Sequence, residues 1–436
     1  MHQARPATDI LWERGGRPAT ASSAPPRTPA DEIQLITEII DTRSVQVTFQ
    51  PVRDVPSGQT AGFTARVNGP RGTALHAPDR LFSAARAIGR AGELDWICRA
   101  EAFRKLMDQR LPRAVSLFVH LSADSLVTEC PDDLLPVVWE AAARLRIFAE
   151  LDGAALERYP WQAVEAVRAA RADGWGVALS GVDPTAKAQP LLPALEPDVI
   201  AVDASRLHAA AALGAVLGHG ESYPATLLVS GVDDGSAHRR ARDLGGVYQQ
   251  GAFHAPAGAL PAAMPLLAAP IPTRRVPAGG PATPWELAVQ AGAYTTPELT
   301  RAEADDLVLT LLGPSLTAEV PRVSGLLLAT DHTRAPRLGE LYRGLVDRSP
   351  LVLLLGPDAA RHAGRQVRAA DLTAGHPLVG QSCLVAFSPS RALVAVTRRA
   401  PGRRDRWEAA VSENPDLAGR VLRALMHTIS ALEDDR

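Results

Sequence analysis

From residue 45 to about residue 256, short apolar runs alternate with longer stretches whose apolar positions recur every three to four residues. The short runs, rich in Val, Leu, Ile and Phe, predict strands over 45–50, 59–67, 114–120, 146–151, 176–180, 199–203, 226–230 and 246–250. The stretches between them, such as 79–109 and 161–172, carry helical spacing. Strands separated by helices imply parallel βαβ units. Eight of them in this span predict a closed TIM-like (β/α)8 barrel. An open doubly wound sheet is the alternative, but no glycine-rich phosphate loop follows an early strand.

The pattern lapses at both ends of this region. Residues 1–29 are rich in Pro, Ala, Ser, Thr and Arg and read as a disordered leader. An amphipathic helix over 32–40 then opens the barrel region at residue 30. Residues 257–282 are Pro/Ala/Gly-rich and read as a semi-rigid linker. Alternation resumes in 283–436, with strands expected over 323–329, 351–355, 383–388 and 391–397 and a closing helix over 415–432 capped by Asn414. The fold class is therefore α/β, a barrel followed by a smaller C-terminal α/β domain. There is no convincing internal repeat.

Composition narrows the class. A hydrophobic fraction of 46% with 22% charged residues is ordinary for a globular chain, and a formal net charge of −2 carries no field for nucleic acid or an anionic membrane. Three separated cysteines, Cys98, Cys130 and Cys383, make neither a disulfide framework nor a Cys-rich metal site and fit a reducing cytoplasm. No apolar run approaches a membrane span, and no signal-peptide core stands at the N-terminus.

The run from Phe49-Gln50-Pro51 through Asp54, Gly58 and Gly62 to Thr64-Ala65-Arg66 resembles the opening of an EAL-type cyclic-di-GMP phosphodiesterase domain, (F/Y)QP(I/V)xDxxxGxxxGxEAL. That resemblance, over residues 30–256, implies a barrel whose strand ends hold two divalent metals over a phosphodiester. It also lets each ligand position be checked. The first metal Glu falls on Thr64, and the phosphate-binding Arg beyond it on Asn68. The Asn of NxS becomes His120, before Leu121-Ser122, and the first Glu of ExTE is kept as Glu150. The aspartate pair of ALDDFG becomes Ser180 and Gly181, the Lys of KID becomes Ala201, and the Glu of AEGVET becomes Ser230. The closing QGYxxxxP survives from Gln250-Gly251 to Pro256. Only Glu150 and Gln250 remain of these pocket residues. Each also has a plain structural role open to it, Glu150 in a salt bridge and Gln250 on a strand end, and His120 reads more simply as a hydrogen-bonded histidine than as a metal ligand.

Residues 283–436 resemble the DICT domain, a bacterial sensory module, through Thr283-Pro284-Trp285-Glu286-Leu287-Ala288, the segment Tyr342-Arg343-Gly344-Leu345, and the end pattern from Asp405-Arg406-Trp407 to Asn414-Pro415-Asp416-Leu417. Trp285, Trp407 and Tyr342 are candidates for a ligand pocket or for core. Arg398-Arg399 with Arg403-Arg404 reads as a solvated basic loop, lacking the aromatic set that stacks on nucleic acid. The expectation is a cytoplasmic bacterial signalling protein. Its EAL barrel is catalytically inactive and acts as a nucleotide-sensing or protein-interaction module. No cofactor or metal is expected. The expected partner is another signalling protein, with weak cyclic-di-GMP binding and a homodimer both compatible with the resemblance, and neither nucleic acid nor membrane. The alternative is an active phosphodiesterase with a rearranged site, which alone would call for Mg²⁺ or Mn²⁺.

Overall fold

The computed structural model describes residues 29–110, 112–181, 189–209, 225–261, 268–274, 282–304, 306–307, 310–311, 323–327, 346, 349–388, 391–403 and 405–434. The leader, the Tyr342–Leu345 segment and parts of the 257–282 stretch lie outside these.

Eight strands form one closed barrel in chain order: β1 (Gln46–Asp54), β2 (Thr60–Asn68), β3 (Ser116–Leu121), β4 (Arg146–Asp152), β5 (Gly176–Ser180), β6 (Val199–Asp203), β7 (Thr226–Ser230) and β8 (Tyr248–Gln249). Each expected strand is present. From β2 to β8 neighbouring strands run parallel. The first strand does not. β1 pairs antiparallel with β2, Gln50 opposite Thr64, and closes the ring antiparallel to β8. The reason is local. Only a tight turn joins β1 to β2, in which the Asp54 carbonyl accepts from Gly58 N at 2.8 Å and its carboxylate from Ser57 N at 3.2 Å. A crossover to a parallel partner needs a dozen or more residues.

Odd-numbered residues of β3, such as Leu117, Val119 and Leu121, face the surrounding helices, as do Ile147, Ala149 and Leu151 of β4. Their even-numbered neighbours face inward. Phe118 and Phe148 stack there with centroids 4.8 Å apart, joined by Ala178, Val199, Ala201 and Leu228. This is a packed interior, as barrels of this size require. The helices Pro29–Asp41, Pro78–Ala87 and Ala91–Asp108 bury a second cluster around Ile36, Leu81 and Ile97. The base of the barrel is plugged from beyond the last strand. Ile271 is fully buried in the interior cluster, and Ala268 N donates to Thr60 O at 3.0 Å. Arg274 N donates to Asp198 Oδ1 at 2.6 Å. Part of the proline-rich stretch therefore belongs to the barrel floor.

A second, seven-stranded sheet follows, made of β9 (Tyr294–Leu299), β10 (Val323–Leu327), β11 (Val352–Gly356), β12 (Val367–Asp371), β13 (Gln381–Ser388), β14 (Arg391–Arg399) and β15 (Trp407–Ser412). Its order is β12-β11-β10-β13-β14-β15-β9. The β10–β11 and β11–β12 pairs are parallel and the rest antiparallel. The helix Pro284–Gln290 opens this unit with a capping box between Thr283 and Glu286. The helix Pro415–Asp434 closes it, with Asn414 Oδ1 accepting from Asp416 N at 2.8 Å, as its sequence predicts. Arg398 and Arg399 lie in β14 rather than in a solvated loop, because the apolar alternation of that strand runs on to its paired Glu408 and Trp407.

The closing helix also meets the barrel. Its apolar face shares one continuous core cluster with Trp161, Leu191, Leu192 and Leu195. Arg423 pairs with Glu196 at 3.0 Å, and Ser430 Oγ donates to Glu165. No helix among the described residues is long and apolar enough to cross a membrane.

Candidate functional site: the barrel mouth

Strand register assembles the pocket positions. His120 sits opposite Glu150, Glu150 opposite Ala178, Asp152 opposite Ser180, Ser180 opposite Ala201, and Asp203 opposite Ser230. All lie at the C-terminal ends of strands, on the inward parity, which is where barrels of this kind carry their function. Thr64 enters the same mouth from β2. Its Oγ1 donates to Gln250 Oε1 at 2.7 Å, and both side chains are buried. Gln250 is further fixed by its backbone, which donates to Val229 O at 2.9 Å and accepts from Val232 N at 3.0 Å. The Val232 backbone lies so close to Gly251 that a β-carbon there would come within 2.1 Å of its carbonyl oxygen. That contact explains the Gln250-Gly251 pair.

The other positions are occupied with local work. Asn68 Nδ2 donates to His76 O at 3.3 Å. Ser230 Oγ reaches Val202 O at 3.4 Å. Ala201 belongs to the apolar interior. Gly181 follows β5 with φ at 62°. Glu150 is half-buried, and its side chain makes no hydrogen bond or ion pair among the described residues, so the salt-bridge role is not seen.

The polar focus of the mouth is His120. Its Nε2 lies 3.3 Å from Asp152 Oδ2, with both side chains partly exposed. Desolvation works to lower the imidazole pKa. The Asp152 hydrogen bond and the charges of Asp95, Glu150 and Asp152 outweigh it and hold the pKa above its ordinary value. Desolvation likewise works to raise the Asp152 carboxyl. The bond to His120 and the amides of Ala155 and Ala154 hold it below its ordinary value. Asp152 is the N-cap of the helix Gly153–Arg158, with Ala155 N donating to Oδ1 at 2.6 Å. Asp95, on the helix Ala91–Asp108, is buried, accepting from Ser122 N at 3.1 Å and lying 3.7 Å from Arg99.

Motif reading missed Asp95 and did not count Asp152 or Asp203 among the pocket residues. Asp152 and Asp203 fall two residues beyond Glu150 and Ala201 on the same inward parity, and that period-two spacing was the signal available. Among the described residues, no three His, Cys, Asp or Glu side chains are grouped to hold a metal ion.

The family model of the EAL domain matches residues 34–257, just over half of the chain. The chain belongs to the EAL domain family. The EAL domain of FimX from Xanthomonas citri, solved in complex with c-diGMP, is 17% identical, with a TM-score of 0.46 over 53% of this chain and 95% of that one. The FimX EAL domain from Pseudomonas aeruginosa, bound to c-di-GMP, is 22% identical, with a TM-score of 0.45 over 54% of this chain and 98% of that one. An EAL domain protein from Listeria monocytogenes EGD-e is 18% identical, with a TM-score of 0.42 over 52% and 93%. No curated protein matches the sequence.

Proposed function

We propose that this EAL domain does not hydrolyse cyclic-di-GMP and serves as a nucleotide-sensing or protein-interaction module, coupled to a DICT-like sensory unit in residues 283–436. The observation that carries the reading is the chemistry of the mouth. Thr64, His120, Ser180, Gly181, Ala201 and Ser230 stand where the family places its metal ligands and lysine, and Glu150 is the one carboxylate kept. Each hard divalent cation takes about six oxygen ligands and needs concentrated negative charge. Hydroxyls and a glycine do not supply it. Asp152 is committed to His120 and to a helix cap, and Asp203 Oδ1 already accepts from Ser205 N at 2.8 Å. The donor set does not fit a metal pair and offers no route to metal-assisted hydrolysis.

Coupling is supported by the docked closing helix, whose contacts reach residues 191–196, the part of the β5–β6 connection that leads into β6. The output of such a protein is a contact with another signalling protein, with residual weak cyclic-di-GMP binding at most. The test is turnover of cyclic-di-GMP by the full chain with Mg²⁺ or Mn²⁺. No linear product is expected, and multiple turnover would replace this reading with that of an active phosphodiesterase.

A further inference from the structure

A groove of about 580 Å³ opens in the C-terminal unit, beside the helix Pro284–Gln290 and over the sheet margin where β14, β15 and β9 lie together. Its volume is that of a small-ligand site. Its central polar group is Arg398. The guanidinium carbon stands 4.3 Å from the Trp285 ring centroid, and Nε donates to Glu408 Oε2 at 2.8 Å across the β14–β15 ladder. These two contacts fix one plane and one donor. Both Nη groups are left without a partner among the described residues. Trp285 is itself largely buried and lines the groove together with the guanidinium stacked on it. Thr295, Thr296 and the exposed side chain of Val289 complete its lining. Gln290 also lines the groove, its Oε1 accepting from Arg420 of the closing helix at 3.1 Å.

A planar fork held rigid by stacking, with its two outer donors unused, is a preorganised carboxylate receptor. Glu286 and Glu408 at the same groove select against a dianion such as a phosphate. Val289 asks for an apolar body on the ligand. We propose that this groove binds a small monocarboxylate with an apolar body, its carboxylate taken end-on by the Nη groups of Arg398. The binding stands on this geometry alone. Its consequence for the barrel, through Gln290, Arg420 and the closing helix, rests on the sensory reading given above.

Titration calorimetry of the full chain with benzoate, its neutral isostere benzamide and inorganic phosphate tests the proposal. Benzoate should bind saturably, and benzamide and phosphate at least about tenfold more weakly. Arg398→Gln should cost benzoate about tenfold or more. Because that change also removes a stack on Trp285, Val289→Asp on the exposed rim is the second variant, and it too should weaken benzoate severalfold. Absence of benzoate binding, equal binding of benzamide or phosphate, or unchanged affinity in either folded variant overturns the proposal. Benzoate binding without any change in hydrogen exchange over residues 189–196 would keep the site and overturn the coupling.

Discussion

His120 Nε2 lies 3.3 Å from Asp152 Oδ2, tying the end of β3 to the end of β4 across the inner rim of the barrel. The same carboxylate caps the helix Gly153–Arg158. One side chain therefore sets both the charge of the mouth and the start of the segment that leaves it. A histidine at the NxS position has changed a neutral ligand site into a titrating one.

Asp152→Asn should lower the pKa of His120, read by NMR titration of the ring. The raised imidazole contributes stability that is complete below its unfolded pKa and fades as pH rises through its folded one. The lowered Asp152 carboxyl contributes above its unfolded pKa and fades as pH falls through its folded one. The pair is therefore worth most between the two unfolded values, 3.8 for the carboxyl and 6.5 for the imidazole. With both groups partly exposed the magnitude is about 0.2–1 kcal/mol. An unmoved His120 titration in the variant would leave Asp95 and Glu150 as the groups that hold the proton.

Titration of the full chain with millimolar Mg²⁺ or Mn²⁺ should show no paired binding. Restoring carboxylates at Thr64, Ser180 and Ser230 should give at most weak binding, because Gly181 sits at φ 62°, where an aspartate side chain must accept a left-handed backbone. A saturable two-site isotherm in the unaltered protein would contradict this.

Cyclic-di-GMP affinity should be far below that of an intact pocket. Asn68 and Ala201 stand in place of an arginine and a lysine, and each charge-assisted contact is worth about 1.5–3 kcal/mol. Ala201 is moreover part of the apolar interior, so Ala201→Lys alone must set its chain against that apolar cluster. Asn68→Arg is the variant expected to regain affinity. A submicromolar dissociation constant for the unaltered chain would contradict the prediction.

Much of the barrel was legible. Strands β5, β6 and β7 lie where the apolar runs place them, because buried parallel strands read as continuous hydrophobic stretches bounded by turns. The direction of β1 was not, since alternation of strand and helix was extended to a pair joined only by a turn. In the second sheet β9, β12 and β15 escaped notice. Tyr294–Leu299 contains Pro297 and sits at the sheet edge, and Val367–Asp371 and Trp407–Ser412 are alanine-rich, so their pairing comes from tertiary context rather than propensity. At the mouth the replaced ligands were visible one by one. The His120–Asp152 contact was not, because it depends on which side chains share a face across two strands.

The stretch 257–282 reads as a linker, and exposed linkers are cut first. Within it, however, Ile271 is fully buried against the barrel interior, and the Arg146 guanidinium donates to the Ile271 carbonyl. Limited proteolysis followed by mass spectrometry should therefore spare residues 268–274 while cleaving elsewhere in the stretch. The cleaved halves should still co-elute on gel filtration, because the closing helix shares its apolar cluster with Trp161 and Leu192 and pairs Arg423 with Glu196. Ile271→Ala should cost about 2–5 kcal/mol, the range for emptying a buried aliphatic site. It should also open 268–274 to the protease by loosening the plug at the base. Cleavage within 268–274 at equal rates in the two proteins would show that the floor is not held by this side chain. Separation of the fragments on the column would show that the two units do not hold together without the covalent link.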